Sequence, residues 1–412
     1  MKIRRKYLFY LLAFSSSIIV ALISGLDVVL GKYIKNPLVF GLSIFYFGLL
    51  TSILFTLFLS ISFKGKSIGE RTIDPSFKKI RLLKKEELKY HILAGTGNAI
   101  LTLGYFWLLI LIKDPSLVLP FSQVVILYLV VIESIIEKNT PTLVEIQSSV
   151  IVTLGAILGS ISLSGTISLE SFAIVFLIVN PGWVLQSVYQ RKLKMMKIND
   201  KSNDSINIRM WNVIFACLFT LVFVFFYDYY TGSSNFSESL KTFVDYFGLL
   251  TLAGIGAFFS YVFYIRALGI GKASITQAVK SSVIIFSIPI SIALAYFGFI
   301  DPISTDPVLI IIRVSGIILM LLGIISFALT LIKAYIFIKM KPGYPIEVTM
   351  QKLWDINGVN RVTAVAGDYD FIVKIRTRTL VKGYERILRK IASIEGIKDY
   401  KWQSVLKEWE DI

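Results

Sequence analysis

Lys280 is the residue of this 412-residue chain whose type and setting most clearly call for chemistry. It stands inside a long apolar stretch, in the run Gln277-Ala278-Val279-Lys280-Ser281-Ser282. Some eight residues from the start of a helix, it would lie about 12 Å deep at 1.5 Å per residue, too deep for easy snorkelling. An ammonium at the centre of a membrane helix costs ~2.5–3.5 kcal/mol on insertion scales, so it needs either a buried carbonyl or carboxylate, or an anionic ligand. Asn98, Tyr105, Gln123, Asn180, Gln186, Tyr264 and Gln277 sit in comparable stretches. They offer neutral hydrogen-bonding groups, either to a solute or to neighbouring helices. Asn180-Pro181-Gly182 can break its helix and free backbone groups. Asp27, near the end of the first apolar stretch, either attracts cations or is solvated. A second constellation lies in polar surroundings, Gly367-Asp368-Tyr369-Asp370. Asp368 and Asp370 there either hold an ammonium group by charge-assisted hydrogen bonds or only shape a turn.

Other chemistries lack their residues. One cysteine, Cys217, and one histidine, His91, give neither a disulfide framework nor a Cys/His metal site, and both read as structural. Ala94-Gly95-Thr96-Gly97 has no following lysine and no strand before it, so it is not a phosphate-binding loop. No nucleophile-base pair stands out. The expectation is a chain with no catalytic residues, no metal and no cofactor.

The elements that must position Lys280 are membrane helices. Hydrophobic residues make up 55% of the chain and charged residues 17%, and the mean hydropathy is +0.72. A soluble domain normally carries charge nearer a quarter. A span needs roughly 20 apolar residues, and ten stretches approach that: 8–30, 38–62, 91–112, 116–136, 143–163, 170–190, 207–228, 246–267, 273–297 and 308–331. The first follows Lys2, Arg4, Arg5 and Lys6 but is too long for a cleaved signal and has no small-residue cleavage site after it. With the N-terminus inside, 22 basic residues fall on the inner side before Lys333, against Lys32, Lys35, Lys113 and Lys241 outside. That split predicts a multi-pass plasma-membrane protein with both termini cytoplasmic. It also makes the net charge of +16 a signal for topology and anionic lipids, with nucleic acid the weaker partner.

The spans repeat. Ala94-Gly95-Thr96-Gly97 recurs as Ala253-Gly254-Ile255-Gly256, and Tyr105 matches Tyr264 at the same offset. Pro115-Ser116-Leu117 resembles Ala273-Ser274-Ile275, while Ser148 and Gly155 match Gly316 and Gly323. Residues 1–163 and 164–333 therefore read as two five-span copies. Because five is odd, the second copy is inverted, the arrangement that lets one midplane site face either side in turn.

Near Lys333 the character of the chain changes. Residues 334–412 alternate and charge like a small soluble α+β domain, ordered β-α-β-β-α-β in the ferredoxin-like way. A strand from Tyr335 to Met340 and a helix over 346–355, closed by Asn357-Gly358, come first. Strands Arg361 to Ala366 and Phe371 to Arg376 flank the Gly367-Asp368-Tyr369-Asp370 turn. A helix over 380–393 and a strand from Ile397 to Leu406 complete it.

Two resemblances follow. The ten spans as 5+5, the small-residue third span, Pro115-Ser116, Glu137 and the Gly316/Gly323 spacing resemble the drug/metabolite transporter superfamily of EamA type, over about residues 8–332. That resemblance implies a cavity lined by spans 1, 3, 4, 6, 8 and 9 and a small organic substrate. The Lys280 segment resembles the ninth-span lysine of the sugar-phosphate and nucleotide-sugar branches, where lysine contacts phosphate. Ser281 stands here where some of those carriers have a second basic residue. Residues 334–408 resemble the ligand-binding and oligomerisation domain of the leucine-responsive regulator (Lrp/AsnC) family. The likeness rests on Lys341-Pro342-Gly343, Gly358-Val359, the Gly-Asp-Tyr-Asp turn, Glu395-Gly396-Ile397 and Ser404-Val405-Leu406. It implies a homodimer through the tail and an amino acid bound near Gly367, Asp368 and Asp370. No DNA-binding helix-turn-helix precedes the domain, so transcriptional control is not expected.

The expected function is a secondary transporter of an amino acid or related carboxylate, with Lys280, Gln277, Asn98, Tyr105, Gln123, Asn180 and Tyr264 toward the substrate. A non-transporting membrane receptor and a carrier of phosphorylated metabolites are the alternatives.

Overall fold

The computed structural model describes residues 5–112, 118–119, 123–137, 143–159, 169–198, 201–300, 306–329, 331–356, 358–378 and 383–404. Pro115-Ser116-Leu117, Asn357 and Val405-Leu406 lie outside them, as does the Glu137 side chain. The described chain divides into two compact units, residues 1–140 with 149–324 and residues 141–148 with 325–412.

The first unit is helical. The helices run in the order α1 (Arg5–Gly31), α2 (Pro37–Leu59), a short α3 (Ile68–Thr72), α4 (Lys85–Ile112), α5 (Val125–Glu137), α6 (Leu143–Gly159), α7 (Leu169–Ile174), α8 (Asn180–Met195), α9 (Ser205–Thr231), α10 (Asn235–Asp245), α11 (Phe247–Leu268), α12 (Ala273–Lys280), α13 (Val283–Tyr296) and α14 (Pro307–Leu329), with 143–148 of α6 and 325–329 of α14 counted in the second unit. Boundaries follow local chemistry. Asn36 accepts the Leu38 N–H at 2.9 Å ahead of Pro37, and Asp204 accepts the Asn207 N–H at 2.7 Å to open α9. Gly232, at φ +69°, closes α9 in the left-handed conformation that favours glycine.

Eight of these stretches are long and apolar enough to cross a membrane: Tyr7–Gly31, Pro37–Leu59, Lys85–Ile112, Leu169–Met195, Ser205–Thr231, Phe247–Leu268, Ala273–Tyr296 and Pro307–Ser326. The expected fourth and fifth spans appear as α5 and α6, which are shorter, and residues 138–142 between them are outside the described set.

Small residues set the packing. A Cβ on Gly97 of α4 would meet the Gln186 N of α8 at 2.5 Å, and one on Gly95 would meet Phe215 of α9 at 2.5 Å. One on Gly254 of α11 would meet the Phe47 carbonyl of α2 at 3.1 Å, and one on Gly256 would meet Ile23 of α1 at 2.9 Å. α4 is thus clasped between α8 and α9, and α11 between α1 and α2.

The expectation of a broken helix changes. Asn180-Pro181-Gly182 does not interrupt its span. A π-helical turn, Val175–Val179, carries α7 into α8, and the widened turn absorbs the missing Pro181 N–H. The Tyr128 hydroxyl donates to the Phe176 carbonyl at 3.1 Å within that turn. The span holding Lys280 instead tightens at Ser281 and Ser282, which keep right-handed helical dihedrals between α12 and α13 while Ser282 bonds back three residues to the Val279 carbonyl.

The second unit contains a four-stranded antiparallel sheet. β5 (Leu331–Met340), α15 (Ile346–Trp354), β6 (Val359–Ala364), β7 (Phe371–Arg378), α16 (Gly383–Ala392) and β8 (Ile397–Ser404) follow in order, leaving β1 to β4 for two-residue hairpin strands at 62–63, 66–67, 197–198 and 201–202. The strand order is β6-β7-β5-β8, with Ala334 opposite Ile375 and Ser404. β5 begins four residues earlier than Tyr335, at Leu331. Alternation puts Ala334, Ile336, Ile338, Phe371, Val373 and Ile375 on one face, in a core with Leu353, Ile387 and Ile391 from the two helices. The Lys341 N–H donates to the Gly396 carbonyl at 2.9 Å, joining two of the turns that carry the family resemblance.

Candidate functional site

Lys280 ends α12, and each end of this eight-residue helix is tied to other helices. At its start, the Glu133 carboxylate of α5 accepts the Ala273 N–H at 2.8 Å, the Ser274 N–H at 3.0 Å and the Ser274 hydroxyl at 2.6 Å. A carboxylate at a helix N-terminus meets unpaired N–H groups and the positive end of the dipole. Glu133 also pairs with Arg191 of α8 at 3.1 Å. At the other end, the Ser17 hydroxyl of α1 donates to the Lys280 carbonyl at 2.8 Å. Between them, Gln123 Oε1 accepts from Gln277 at 2.9 Å and from the Ser281 hydroxyl at 2.7 Å.

The Lys280 side chain is 3% exposed. Its Nζ lies 4.4 Å from the Tyr264 ring centroid, 4.8 Å from Trp183 and 5.6 Å from Tyr261. Among the described residues it makes no hydrogen bond or ion pair. Cation–π attraction contributes about 0.5–2 kcal/mol per favourable ring. That offsets part of the burial cost but satisfies none of the three ammonium donors by a lone pair.

The other expected residues divide by what they already hold. Tyr264 shares a 2.8 Å hydrogen bond with Ser187, and Asn98 donates to Asn212 at 3.0 Å. Gln123 and Gln277 bond each other. Tyr105 donates to Asp27 at 3.3 Å. Asp27 is 4% exposed, so the solvated reading of this carboxylate is overturned. Asn180 is fully buried on α8, and neither side-chain polar atom has a partner among the described residues. Tyr264 and Lys280 converge, while Gln277 with Gln123, Asn98 with Asn212 and Tyr105 with Asp27 form separate interhelical pairs.

Arg209 was counted in the sequence only as one of the inner basic residues. It is 4% exposed, and its guanidinium lies 4.2 Å from the Tyr261 ring centroid. It too makes no hydrogen bond or ion pair among the described residues. Its place four residues after Ser205, inside the helix, is the signal that could have marked it. An apolar cleft of about 400 Å³ lined by Leu38, Ala99, Leu103, Trp107 and Phe223 contains none of these groups.

A buried ionic cluster binds the segment between α2 and α4 to the α8–α9 corner. Asp74 Oδ2 accepts from Lys194 at 2.7 Å and from the Ser205 N–H and hydroxyl at 2.8 and 2.7 Å. Burial pushes the Asp74 carboxyl up, but the Lys194 charge and these bonds outweigh it and hold it at about 2. Arg81 grips Glu87 through two 2.6 Å bonds, and Asn203 bonds both. Burial raises the Asp204 carboxyl above its ordinary value despite the bonds from Asn207.

In the second unit, Gly367 takes φ +148°, a conformation that favours glycine, in the loop before β7. Asp370 Oδ2 accepts the Met340 N–H at 2.6 Å, and its own N–H donates to the Ile338 carbonyl at 2.9 Å. Asp370 therefore shapes the turn. Asp368 is exposed, and no hydrogen bond of its carboxylate is seen among the described residues.

Residues 333–411 match the family model for the Lrp/AsnC ligand binding domain. The chain has no match among curated proteins. A solved structure described only as the crystal structure of a protein is similar over 77% of this chain and 95% of its own, at 13% identity and a TM-score of 0.46. The chain thus joins apolar helices of membrane-crossing length to an Lrp/AsnC-type ligand-binding domain.

Proposed function

We propose that this chain is a secondary transporter of a small organic metabolite, an amino acid or related carboxylate, carrying a cytoplasmic Lrp/AsnC-like domain that dimerises it and senses solute. The observation that carries this reading is Lys280: a buried ammonium with no anionic partner among the described residues, at the tight turn between α12 and α13. Intramembrane charge marks solute pathways, because a ligand supplies what the lipid cannot.

Ten spans in two inverted five-span halves, 1–163 and 164–333, followed by the domain at 334–412, are the architecture of this proposal. It is supported by the exchange of packing partners described above: α4 lies between α8 and α9, as α11 lies between α1 and α2. Gly155 and Gly316, which the repeat pairs with Gly323 and Ser148 in turn, also approach closely, a Cβ on Gly155 falling 2.6 Å from the Gly316 carbonyl. The basic-residue distribution supports a plasma-membrane protein with both termini inside. In this reading the chain is a carrier, with no catalytic step, metal or cofactor.

The test is uptake into liposomes containing the purified chain, screened over amino acids, carboxylates and phosphate esters, with Lys280→Ala alongside. Saturable uptake that Lys280→Ala reduces by about tenfold or more is expected. Normal uptake and affinity in the variant would remove Lys280 from the substrate path.

A further inference from the structure

Resting on that reading, we infer that Arg209 and Lys280 form one anion-recognition site around Tyr261, and that its ligand is a small organic molecule bearing two negative charges. Arg209 comes from the first turns of α9, Lys280 from the end of α12, and Tyr261 from α11. Their charged groups lie 4.2 and 5.6 Å from the centroid of one ring. The two cations are therefore no further apart than those distances laid end to end. Both side chains are more than nine-tenths buried, and neither has a carboxylate or carbonyl partner among the described residues.

Other cations in the same unit, the buried Lys194 and the half-buried Arg191 and Arg81, do have anions. Lys194 has Asp74, Arg191 has Glu133, and Arg81 has Glu87. Near Tyr261 the described carboxylate is Asp27, which already takes the Tyr105 hydroxyl. Two cations in a poorly solvated interior repel each other, and a single negative charge would leave one of them uncompensated. A ligand with two anionic groups compensates both. A guanidinium also presents paired donors to a carboxylate or phosphate, while an ammonium acts as a compact point charge, so the two are suited to different ends of one ligand. Ring contacts of this kind satisfy no N–H donor through a lone pair, so those donors stay available to oxygen ligands.

Dicarboxylates, acidic amino acids and phosphate monoesters share this chemistry, and binding calorimetry on the full chain in lipid nanodiscs separates them. The probes are succinate, aspartate and glycerol phosphate, with butyrate as the singly charged control. At least one doubly anionic probe should bind about tenfold or more tightly than butyrate, and the one that does identifies the source. Arg209→Gln should erase that preference while leaving butyrate affinity within about threefold, since Lys280 still holds one charge. The ligand-free melting temperature of Arg209→Gln should be unchanged or higher, because it removes an uncompensated charge from the interior. Equal binding of singly and doubly charged probes, no binding of any probe, or a preference that survives Arg209→Gln would each overturn the site. So would a lowered melting temperature of the ligand-free variant, which marks a structural arginine. If uptake of a doubly anionic probe depends on Lys280 but not on Arg209, this site falls and the carrier reading stands. If Lys280→Ala leaves uptake intact, the carrier site itself falls.

Discussion

Lys194 and Asp74, 120 residues apart in the chain, meet at 2.7 Å with both side chains almost entirely shielded from solvent. Removing one member strands the other charge. Lys194→Met or Asp74→Ala should each destabilise the protein by about 3–5 kcal/mol, and the pair combined should recover part of that loss. Denaturant unfolding of the detergent-solubilised chain checks both values. The Asp74 carboxyl is held at about 2, below its ordinary 3.8. A depressed folded value stabilises above the unfolded pKa and is lost as pH falls through the folded one. Stability on the order of 2 kcal/mol should therefore disappear between about pH 5 and pH 2. Asp74→Asn should flatten that part of the profile.

Glu133 anchors the helix that presents Lys280. Glu133→Ala removes the acceptor of two N–H groups and a hydroxyl, and one partner of Arg191. A loss of about 3 kcal/mol or more is expected, against about 1–2 kcal/mol for Glu133→Gln, which keeps an acceptor oxygen. In the carrier reading both variants also weaken substrate affinity, because α12 is no longer held in register. Thermal melts and uptake measured on the same preparations separate the two effects.

Gly97→Ala puts a methyl 2.5 Å from the Gln186 N and 2.7 Å from the Gly182 carbonyl, both of them backbone atoms that cannot swing aside. The α4–α8 contact must part, which should cost about 1–3 kcal/mol or more. Gly248→Ala, with nothing within 4 Å of the added carbon, is the control and should be neutral or slightly stabilising. Melting temperatures of the two variants in one detergent make the comparison.

Asp370 and Asp368 should separate shape from binding. Asp370→Ala loses the acceptor of the Met340 N–H and should destabilise the sheet by about 1.5–3 kcal/mol whether or not a solute is present. Asp368→Ala should leave stability within about 0.5 kcal/mol. If the domain holds an amino acid at this turn, that same variant abolishes its binding, measured by calorimetry on the full chain.

Apolar stretches and alternation were legible in the residues because both report a local period. The hairpin around Gly367 and the core positions Ile336, Ile338, Val373 and Ile375 follow from alternation alone. Lys280 stood out because a charge deep in an apolar run has few explanations. Arg209 did not, since a charge near a helix start reads the same whether it reaches solvent or turns inward. The turn at Ser281-Ser282 carries neither glycine nor proline, and the partners that stabilise it are distant in the chain, Gln123 lying 158 residues from Ser281 and Ser17 lying 263 residues from Lys280. Glu133 was hidden for the same reason: its ligands Ala273 and Ser274 lie 140 and 141 residues further on.

The cluster at Asp74 also sets an order of events during synthesis. Lys194 and Ser205 follow Asp74 by 120 and 131 residues. At roughly 5–20 residues per second, the carboxylate waits on the order of ten seconds before its partners leave the ribosome. Until then Asp74 lacks these partners, while Ile73 and Phe77 beside it can already pack against Leu59. The corner locks only after α8 and the start of α9 have been made, so the second half of the chain completes the first.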